Sequence, residues 1–336
     1  MHAATVALTI GDPNGIGPEI AVKAAAVLAD RWAVPPIVVG NAAVIRDYAE
    51  RHAPHLPLRE LDKTGVPTPH AITFLRVGSL PAEMLRPGVV NAAAGAATVA
   101  YVEAAVDLVR RGVASAVVAC PHSETAVNAA GIPFSGYPSL LARLAGIAPE
   151  RIFLMLVGGG LRIVHATLHE RLHDALDRLT PELVEAAGLA ASEALVSLGI
   201  ANPRVGIMAI NPHAGEGGLF GDDDDRVTAP AAARLRRAGI SVEGPTGADV
   251  LLARRDLDAY VAMYHDQGHI PVKVLAPRGA AALSIGAGVL FSSVGHGSAF
   301  DIAGRGIADP SATLAALELV ASGSLSAPVT NQRSHA

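Results

Sequence analysis

The thirteen histidines of this 336-residue chain, set against a single cysteine, make nitrogen ligands the first chemistry to consider. Three of them, His165, His169 and His173, follow one another at four-residue intervals, which on a helix would align them along one face. Residues 163–165 have the apolar pattern of a strand, so we expect a helix to begin only near His169. The three rings should then diverge, and ordinary surface and core histidines explain the spacing better than a metal site does.

A second pair, His265 and His269, repeats this spacing within residues 264–271. Gly268 and Pro271 lie in the same segment, and both residue types disfavour the interior of a helix. We therefore predict a non-helical segment here and no joint binding of a metal by these two rings.

Two polar, glycine-rich loops are further candidates. Residues 211–218 follow a predicted strand and contain His213 and Glu216. Enzymes of the α/β class hold their active sites at the carboxyl ends of parallel strands, although a glycine-rich reversal of the chain is the alternative. Residues 11–19 connect a strand to a helix, whose N-terminus favours an anion. This loop lacks the G-x-G-x-x-G spacing of dinucleotide-binding loops, so a simple tight turn explains it equally well.

Short β-branched runs alternate with Ala- and Leu-rich segments of helical length, which predicts parallel strands joined by helical crossovers. The predicted strands cover residues 5–10, 36–39, 116–120, 152–157, 205–210, 259–263, 272–275, 282–285 and 289–293. The predicted helices cover residues 18–29, 42–50, 138–144, 181–198, 298–304 and 311–322, with further helices starting near residues 91–97 and 227. We expect a solvated face or a helix start at residues 222–225, and a frayed tail from residue 323 onward.

Length and composition restrict the class of protein. A chain of 336 residues exceeds a comfortable single core and predicts two domains. The net charge of −5 and the lack of a basic run give nucleic-acid binding no electrostatic source. No run approaches the ~18 apolar residues of a membrane span, so we expect no membrane partner and a cytoplasmic protein. Cys120 ends an apolar run, which predicts a buried, unreactive thiol.

Three segments taken together, residues 11–19, 211–218 and 264–273, resemble the 4-hydroxythreonine-4-phosphate dehydrogenase family over nearly the whole chain. The resemblance implies two α/β/α domains with a cleft between them, as in isocitrate and isopropylmalate dehydrogenases. The first domain would hold residues 1–135 with about 295–336. The second, about 136–294, would carry the metal ligands and dimer contacts. The resemblance also implies a homodimer whose active sites are shared between subunits, and NAD bound without the usual glycine fingerprint.

In this family three histidines far apart in the sequence hold a divalent metal, and they correspond here to His169, His213 and His265. Three neutral imidazoles leave coordination positions for a substrate hydroxyl, whose pKa the metal lowers so that hydride can leave for NAD. Zinc is the metal we expect, although cobalt, nickel and manganese also bind imidazole. As catalytic residues we predict Asp266, which would orient an imidazole, and Lys273, which corresponds to a family lysine near the substrate. The remaining histidines of the two spaced sets are not ligand positions in the family.

Departures from the family pattern concern the substrate. Phosphate-using members carry Gly-His-Thr-Glu where this chain has Gly136, Tyr137, Pro138 and Ser139. A family asparagine, arginine and aspartate are replaced by Ala282, Phe291 and Gly295. Each change removes a charge or a hydrogen-bonding group, so a phosphate monoester is not the expected substrate.

We therefore assign a carboxylate substrate to contacts with Tyr137, Ser139 and Asp249. Tyr137 could lie against a ring, and Ser139 with the backbone amides of the following helix could donate to a carboxylate. The nicotinamide cofactor is assigned to Gly286 and to His296 with Gly297, next to the position of the missing aspartate.

Residues 134–142, 164–170 and 292–306 resemble a narrower branch, the terephthalate cis-dihydrodiol dehydrogenases. These convert 1,2-dihydroxy-3,5-cyclohexadiene-1,4-dicarboxylate to protocatechuate, carbon dioxide and NADH. Oxidation of the hydroxyl makes a β-keto acid, and loss of carbon dioxide yields an aromatic ring. One alternative is a dehydrogenase of a phosphorylated hydroxy acid such as 4-phosphohydroxy-L-threonine. Another is a three-histidine metal hydrolase, which would need no NAD.

Overall fold

The structure, a computed structural model, describes residues 5–78, 80–277 and 280–322. Within these ranges the chain forms twelve strands: β1 (Thr5–Thr9), β2 (Ile37–Gly40), β3 (Leu58–Glu60), β4 (Ile72–Arg76), β5 (Ala114–Ala119), β6 (Phe153–Gly158), β7 (Leu161–His165), β8 (Arg204–Met208), β9 (Ser241–Thr246), β10 (Ala259–Ala262), β11 (Ala281–Ile285) and β12 (Leu290–Ser293). All belong to one sheet with the order β3-β4-β2-β1-β5-β12-β11-β6-β7-β10-β8-β9.

The same residues form eleven α-helices: α1 (Gly17–Ala29), α2 (Ala42–His52), α3 (Ala92–Arg110), α4 (Glu124–Ala129), α5 (Tyr137–Ala145), α6 (Leu172–Arg178), α7 (Pro181–Ser197), α8 (Ala229–Arg237), α9 (Ala248–Ala253), α10 (His265–Leu275) and α11 (Ser311–Ser322). Asparagine or threonine caps several of them. Asn41, Asn91 and Thr180 accept backbone amides of the first turns of α2, α3 and α7. The predicted α/β class is confirmed.

The direction of the strands divides the sheet into two halves. Strands β1 to β5 and β12 are parallel to one another, and so are β7, β8, β9 and β10. Between the halves, β11 is antiparallel to both β12 and β6, and β6 is antiparallel to β7. Three reversals separate the halves, so the carboxyl ends of their strands lie at opposite edges of the sheet. The proposed domain boundaries remain a prediction.

Helix α3 is the one helix among the described residues that is long and apolar enough to cross a membrane. Half of that apolar window is buried inside the protein, since Val99, Val102 and Val106 pack in the main core. The helix also carries Glu103 and Asp107. These contacts identify α3 as a helix of the protein core.

Most predicted elements are confirmed to within a few residues, but the segments around residues 265–275 and 298–304 are not. The predicted strand at residues 272–275 is wrong, because they form the end of α10, which holds Gly268 and Pro271 in its interior. The predicted helix at residues 298–304 is also wrong, because this segment consists of turns with left-handed backbone at Ala299 and Gly304.

Two smaller expectations concern the segment after β7 and the end of the chain. The helix expected near His169 begins later, at Leu172, after an extended residue at Arg171. The tail predicted from residue 323 onward lies outside the described residues.

Candidate active site

Four neighbouring parallel strands each deliver one of the predicted residues just beyond their carboxyl ends. His169 follows β7, His265 follows β10, His213 follows β8 and Asp249 follows β9, and these strands lie side by side in the sheet. The carboxyl ends of parallel strands meet at one edge, which is where α/β enzymes bind their ligands. Sheet topology therefore collects residues that are up to about 100 positions apart in the sequence.

A cavity of about 640 Å³ opens at this edge of the sheet. It is lined by Ala209, Ile210, Asn211, Pro212, His213, Ala214, Glu216, Pro245, Thr246, Gly247, Ala248, Asp249, Val250, Tyr264 and Gln267. His213 and Asp249 thus face the same cavity. Tyr264 and Gln267, which flank His265 and Asp266 in the sequence, also line it. The cavity is large enough for a small cyclic carboxylate.

His265 is oriented by its neighbour in the sequence. Its Nδ1 atom lies 2.7 Å from Oδ1 of Asp266. A carboxylate can only accept, so we assign the ring hydrogen to Nδ1 and a lone pair to Nε2. The ring centroid of His169 is 5.5 Å from that of His265. Two of the three predicted ligands therefore lie together, and one of them has the carboxylate partner typical of metal-binding histidines.

His213 lies apart from this pair, on a loop with unusual backbone. His213, Ala214 and Glu216 all have φ between 46° and 54°, in the left-handed region that non-glycine residues rarely adopt. The His213 side chain is exposed, with Nδ1 3.6 Å from a carboxylate oxygen of Glu216. Among the described residues, no group of three or more His, Cys, Asp or Glu side chains is arranged to hold a metal. Strained backbone of this kind costs about 1–3 kcal/mol per residue and clusters at functional sites.

The residues available fit a divalent metal in chemistry, though not as a complete set within one chain. Because Nδ1 of His265 is bonded to Asp266, its Nε2 is the ring atom left for a metal, and His169 lies beside it. The third imidazole, that of His213, is exposed on the cavity wall. Among the described residues, His213 does not join the other two imidazoles in one metal-binding group.

Asp224 holds the base of the His213 loop. It is 2% exposed, and its carboxylate accepts the backbone amides of Ile210 and Asn211 at 2.8 and 2.9 Å and the hydroxyl of Thr228 at 2.6 Å. The expectation of a helix start at residues 222–225 is confirmed, because α8 follows one π-helical turn. The alternative expectation of a solvated face is wrong for Asp224.

The glycine-rich loop at residues 11–19 lies at the other edge of the sheet and is closed by internal bonds. Asn14 donates to the carbonyls of Met84 and Val89 and accepts the amide of Arg86. Glu19 is buried and accepts the backbone amides of Gly306 and Ala308 as well as Lys23 Nζ. With these groups already bonded, the structure favours a structural turn over an anion-binding loop.

Asp12 is the exception within this loop. It is fully buried, and only one of its carboxylate oxygens has a partner among the described residues, the amide of Asn14 at 2.9 Å. Burial therefore raises the pKa of Asp12 to about 6. The neighbouring Gly11 has φ +66°, and a side chain there would lie 2.2 Å from the carbonyl oxygen of Pro121. Close packing explains why this turn requires glycine.

Tyr137 is part of the core, where it is 3% exposed. Its hydroxyl donates to the carbonyl of Cys120 at 2.6 Å, and its ring lies against those of His122 and Phe291, with centroids 4.3 and 5.1 Å apart. Burial raises the pKa of the Tyr137 hydroxyl well above its usual range. A substrate ring could reach Tyr137 only if one of these neighbours moved.

Ser139, the other residue assigned to the substrate at this edge, also has internal partners. Its hydroxyl donates to the carbonyl of Gly136 at 2.8 Å and accepts the amide of Ser135 at 3.1 Å. Cys120 is confirmed as a buried thiol, and burial raises its pKa to about 12, so it is unreactive at neutral pH.

The residues assigned to the nicotinamide cofactor differ in their surroundings. Gly286 lies where a side chain would come 2.1 Å from the carbonyl oxygen of Arg151, so packing alone demands glycine there. His296 and Gly297 are exposed, and a side chain at Gly297 would meet open space. Lys273 is exposed near the end of α10.

The structure adds two histidines that the sequence interpretation set aside. His269 lies between His265 and the buried His165, and burial lowers the pKa of both His165 and His269 to about 4. The four-residue spacing of His265 and His269 was the available signal. Gly268 and Pro271 conceal this signal, because both residue types disfavour the helix that the structure contains.

Fold and site together define an α/β protein with a polar cavity and a histidine pair at the carboxyl ends of parallel strands. The family model described as "Pyridoxal phosphate biosynthetic protein PdxA" matches residues 33–320. The chain therefore belongs to this family.

The chain is also similar over nearly its whole length to individual relatives. It is 49% identical over 315 residues, 94% of this chain and 96% of the relative, to a 1,2-dihydroxy-3,5-cyclohexadiene-1,4-dicarboxylate dehydrogenase of Comamonas sp. A crystal structure of a terephthalate 1,2-cis-dihydrodiol dehydrogenase from Burkholderia xenovorans LB400 is 57% identical, with a TM-score of 0.83, covering 97% of this chain and 100% of that one.

A third relative represents the phosphate-using side of the family. The crystal structure of a 4-hydroxythreonine-4-phosphate dehydrogenase from Burkholderia phymatum is 35% identical, with a TM-score of 0.88, covering 97% of this chain and 100% of that one. All three relatives are dehydrogenases, which are oxidoreductases. The fold and family expected from the sequence are confirmed.

Proposed function

We propose that this chain is an NAD-dependent, divalent-metal-dependent dehydrogenase that decarboxylates a cis-dihydrodiol dicarboxylate, the dihydrodiol of terephthalate. The similarity to two dehydrogenases named for this substrate type supports the proposal. The observation that carries it is the set of His169, His213, His265 and Asp249 at the ends of four adjacent strands. Such a set offers nitrogen ligands and a carboxylate around one cavity.

The reaction balances without any further reactant. Hydride leaves the carbon that bears the oxidised hydroxyl and reduces NAD, while the hydroxyl proton passes to solvent. The resulting β-keto acid loses carbon dioxide, which leaves an aromatic enolate, and the enolate oxygen takes up a proton to give protocatechuate. A divalent metal, zinc in our proposal, when bound would lower the pKa of the hydroxyl and stabilise the developing enolate.

In this scheme some residues of the chain bind the metal and others bind the substrate. His265, oriented by Asp266, and His169 and His213 would hold the metal. Asp249 faces the cavity, where its carboxylate could accept a hydrogen bond from the second substrate hydroxyl. Lys273, which is exposed near the end of α10, could pair with a substrate carboxylate.

We also infer a homodimer with shared sites. His296 and Gly297, which are assigned to the cofactor, follow β12 and lie at the opposite edge of the sheet from the histidines, so one chain cannot easily bring the two sets together. Large apolar side chains near the histidine edge, among them Leu219, Phe220, Ile270 and Val274, are exposed. An interface with a second copy of the chain would bury these side chains.

Mixing two inactive variants tests the shared site. If one site draws ligands from both subunits, His213→Ala and His265→Ala protein, inactive alone, should regain part of the turnover when subunits are exchanged. Sedimentation of the wild-type chain should show a dimer. A monomer, or a mixture without any recovered activity, would contradict sharing.

The substrate is tested by following NADH absorbance with the dihydrodiol dicarboxylate and with 4-phosphohydroxy-L-threonine, and by trapping the carbon dioxide released. The phosphorylated substrate is the second candidate, because of the similarity to the 4-hydroxythreonine-4-phosphate dehydrogenase. We expect turnover with the dicarboxylate, because Tyr137 and Pro138 replace the family's phosphate-side pattern. Preference for the phosphate ester would overturn the choice of substrate, and failure to bind NAD would overturn the reaction class. A parallel assay with NADP decides between the two nicotinamide cofactors.

A further inference from the structure

Two histidines next to the candidate metal ligands have no role in the function proposed above. His165 is the last residue of β7 and is 2% exposed, and His269 lies one helical turn after His265 in α10. A buried imidazole is tolerated only when its nitrogens have partners. The hydrogen-bond partners of His165 and His269 therefore indicate the structural role of the pair.

The hydrogen bonds of the pair determine where the ring hydrogens lie. His165 Nδ1 is 3.2 Å from the carbonyl oxygen of Leu154, which can only accept, so Nδ1 donates. His165 Nε2 is then free to accept, and it lies 2.9 Å from Nδ1 of His269. We assign the donor of this second bond to His269. The chain of bonds anchors the His269 ring to the backbone of β6 through His165.

Gly268 allows this arrangement. A side chain at this position would lie 2.3 Å from Nε2 and 2.8 Å from Cδ2 of His165. Glycine in a helix interior costs about 1 kcal/mol relative to alanine. Its occurrence inside α10 is explained by the approach of the His165 ring to the helix.

The anchored ring of His269 is stacked on His265. Their centroids are 3.9 Å apart and their planes differ by 13°. Asp266 binds Nδ1 of His265 at 2.7 Å. The His265 ring is therefore held by a stacked ring on one face and by a carboxylate at one edge, while its Nε2 lone pair stays free.

We propose that His165 and His269 are positioning residues that fix the ring plane of His265 for metal binding. The pair touches neither substrate nor metal in this scheme and acts through His265 alone. The inference rests on the proposed function, since it assumes that His265 is a metal ligand. Mutation of a residue that orients a metal ligand typically lowers the metal affinity about 10- to 100-fold.

Titration of the metal-free full-length protein with Co²⁺, followed by calorimetry and by the visible absorption of the bound ion, tests the proposal. His269→Gln keeps a side-chain donor for His165 but removes the stacked ring. We expect its Kd for Co²⁺ to rise about 10- to 100-fold and the absorption band to shift. His173→Gln is the matched control, because His173 is an exposed histidine on α6, and it should bind Co²⁺ like the wild type.

A second variant changes no histidine. Gly268→Ala adds a methyl group where the His165 ring lies, while alanine itself favours the helix. It should weaken Co²⁺ binding in the same direction as His269→Gln. It keeps the proposal testable if His269→Gln does not fold.

Unchanged Co²⁺ affinity in folded His269→Gln or Gly268→Ala protein would overturn the positioning role. The failure of the proposed function gives a different pattern. In that case the wild type would not bind Co²⁺, or His265→Ala would bind it as well as the wild type does, and the positioning role would fall with it. Loss of binding in His265→Ala but not in His269→Gln would remove the positioning role alone.

Discussion

The two edges of the sheet carry loops that look alike in sequence and differ in what their polar atoms do. Residues 11–19 and residues 211–218 both follow a buried strand and both combine glycine with Asn, Pro and an acidic residue. In the first loop Asn14 and Glu19 are bonded to distant backbone groups. In the second, His213 and Glu216 line a cavity.

Glycine content and position after a strand therefore do not distinguish a structural turn from a binding loop. What distinguishes them is whether the polar atoms already have partners within the chain. The first loop stabilises the fold, since its bonds join segments nearly 300 residues apart. In the second loop the side chains of His213 and Glu216 are exposed at the cavity, and the left-handed backbone costs stability.

The largest effect that this difference predicts is on turnover. His213→Ala should lower kcat/KM roughly 10³-fold or more and abolish metal-dependent activity, because the proposed metal ligand is lost. The free energy of unfolding of the metal-free protein should change by less than about 0.5 kcal/mol, because the side chain is exposed. Urea unfolding and NADH absorbance measure the two quantities.

His173→Ala, on the exposed face of α6, is the control and should keep full activity. If His213→Ala retains turnover after chelation of metal, the second loop is not a ligand loop. The comparison between the edges would then fail.

The next effect is on stability and concerns Glu19. Glu19→Ala removes the acceptor of the buried Ala308 amide and of the part-buried Gly306 amide, while Lys23 keeps only the carbonyls of Gly306 and Ala308. The loss should cost about 3–5 kcal/mol in urea unfolding. Activity per folded molecule should stay the same. Asp47→Ala provides the matched control, because Asp47 forms an exposed ion pair with Arg51 worth at most about 1 kcal/mol. Equal losses in the two variants would contradict a structural first loop.

The sequence predicts the elements well where one local pattern dominates. The strands at residues 5–10 and 205–210 and the helix at residues 181–198 are close to β1, β8 and α7. It fails at α10, because Gly268 indicates a helix break in the sequence, whereas in the structure it makes room for the ring of His165. A single-residue propensity contains no information about such a tertiary contact.

The candidate site is predictable only in part, and for a similar reason. The family resemblance identifies His169, His213 and His265 as candidate ligands. The direction of the strands decides which of the other predicted residues lie near these histidines. The antiparallel strands β6 and β11, which reverse the sheet between its halves, separate Tyr137 and Ser139 from the histidines. Hydrophobic periodicity does not reveal strand order, so this separation could not be read from the sequence.

A third prediction concerns the pH dependence of stability and isolates Asp12. The folded pKa of about 6 lies above the ordinary value of 3.8, so the folded chain holds this proton more tightly than the unfolded chain does. The stability that Asp12 contributes is therefore full below pH 3.8 and is lost as pH rises to about 6. The loss corresponds to about 3 kcal/mol.

Asp12→Asn keeps the acceptor for the amide of Asn14 and removes the titration. Relative to the wild type, its free energy of unfolding should rise by about 2 kcal/mol between pH 4 and pH 7, because part of the loss has already occurred at pH 4. Urea unfolding at both pH values measures this difference. A difference that does not vary with pH would mean that Asp12 is ionised and paired in the folded chain.

The smallest predicted effect tests whether Tyr137 stabilises the fold or contacts the substrate. Tyr137→Phe removes the donor to the Cys120 carbonyl and should lower the free energy of unfolding by about 1–3 kcal/mol. The ring, and with it the packing against His122, remains, so KM for the dicarboxylate should not change. A rise in KM at unchanged stability would instead show that the hydroxyl is available to the substrate. The surroundings of Tyr137 would then have to open in the working enzyme, and the first edge would be a binding surface as well as a structural one.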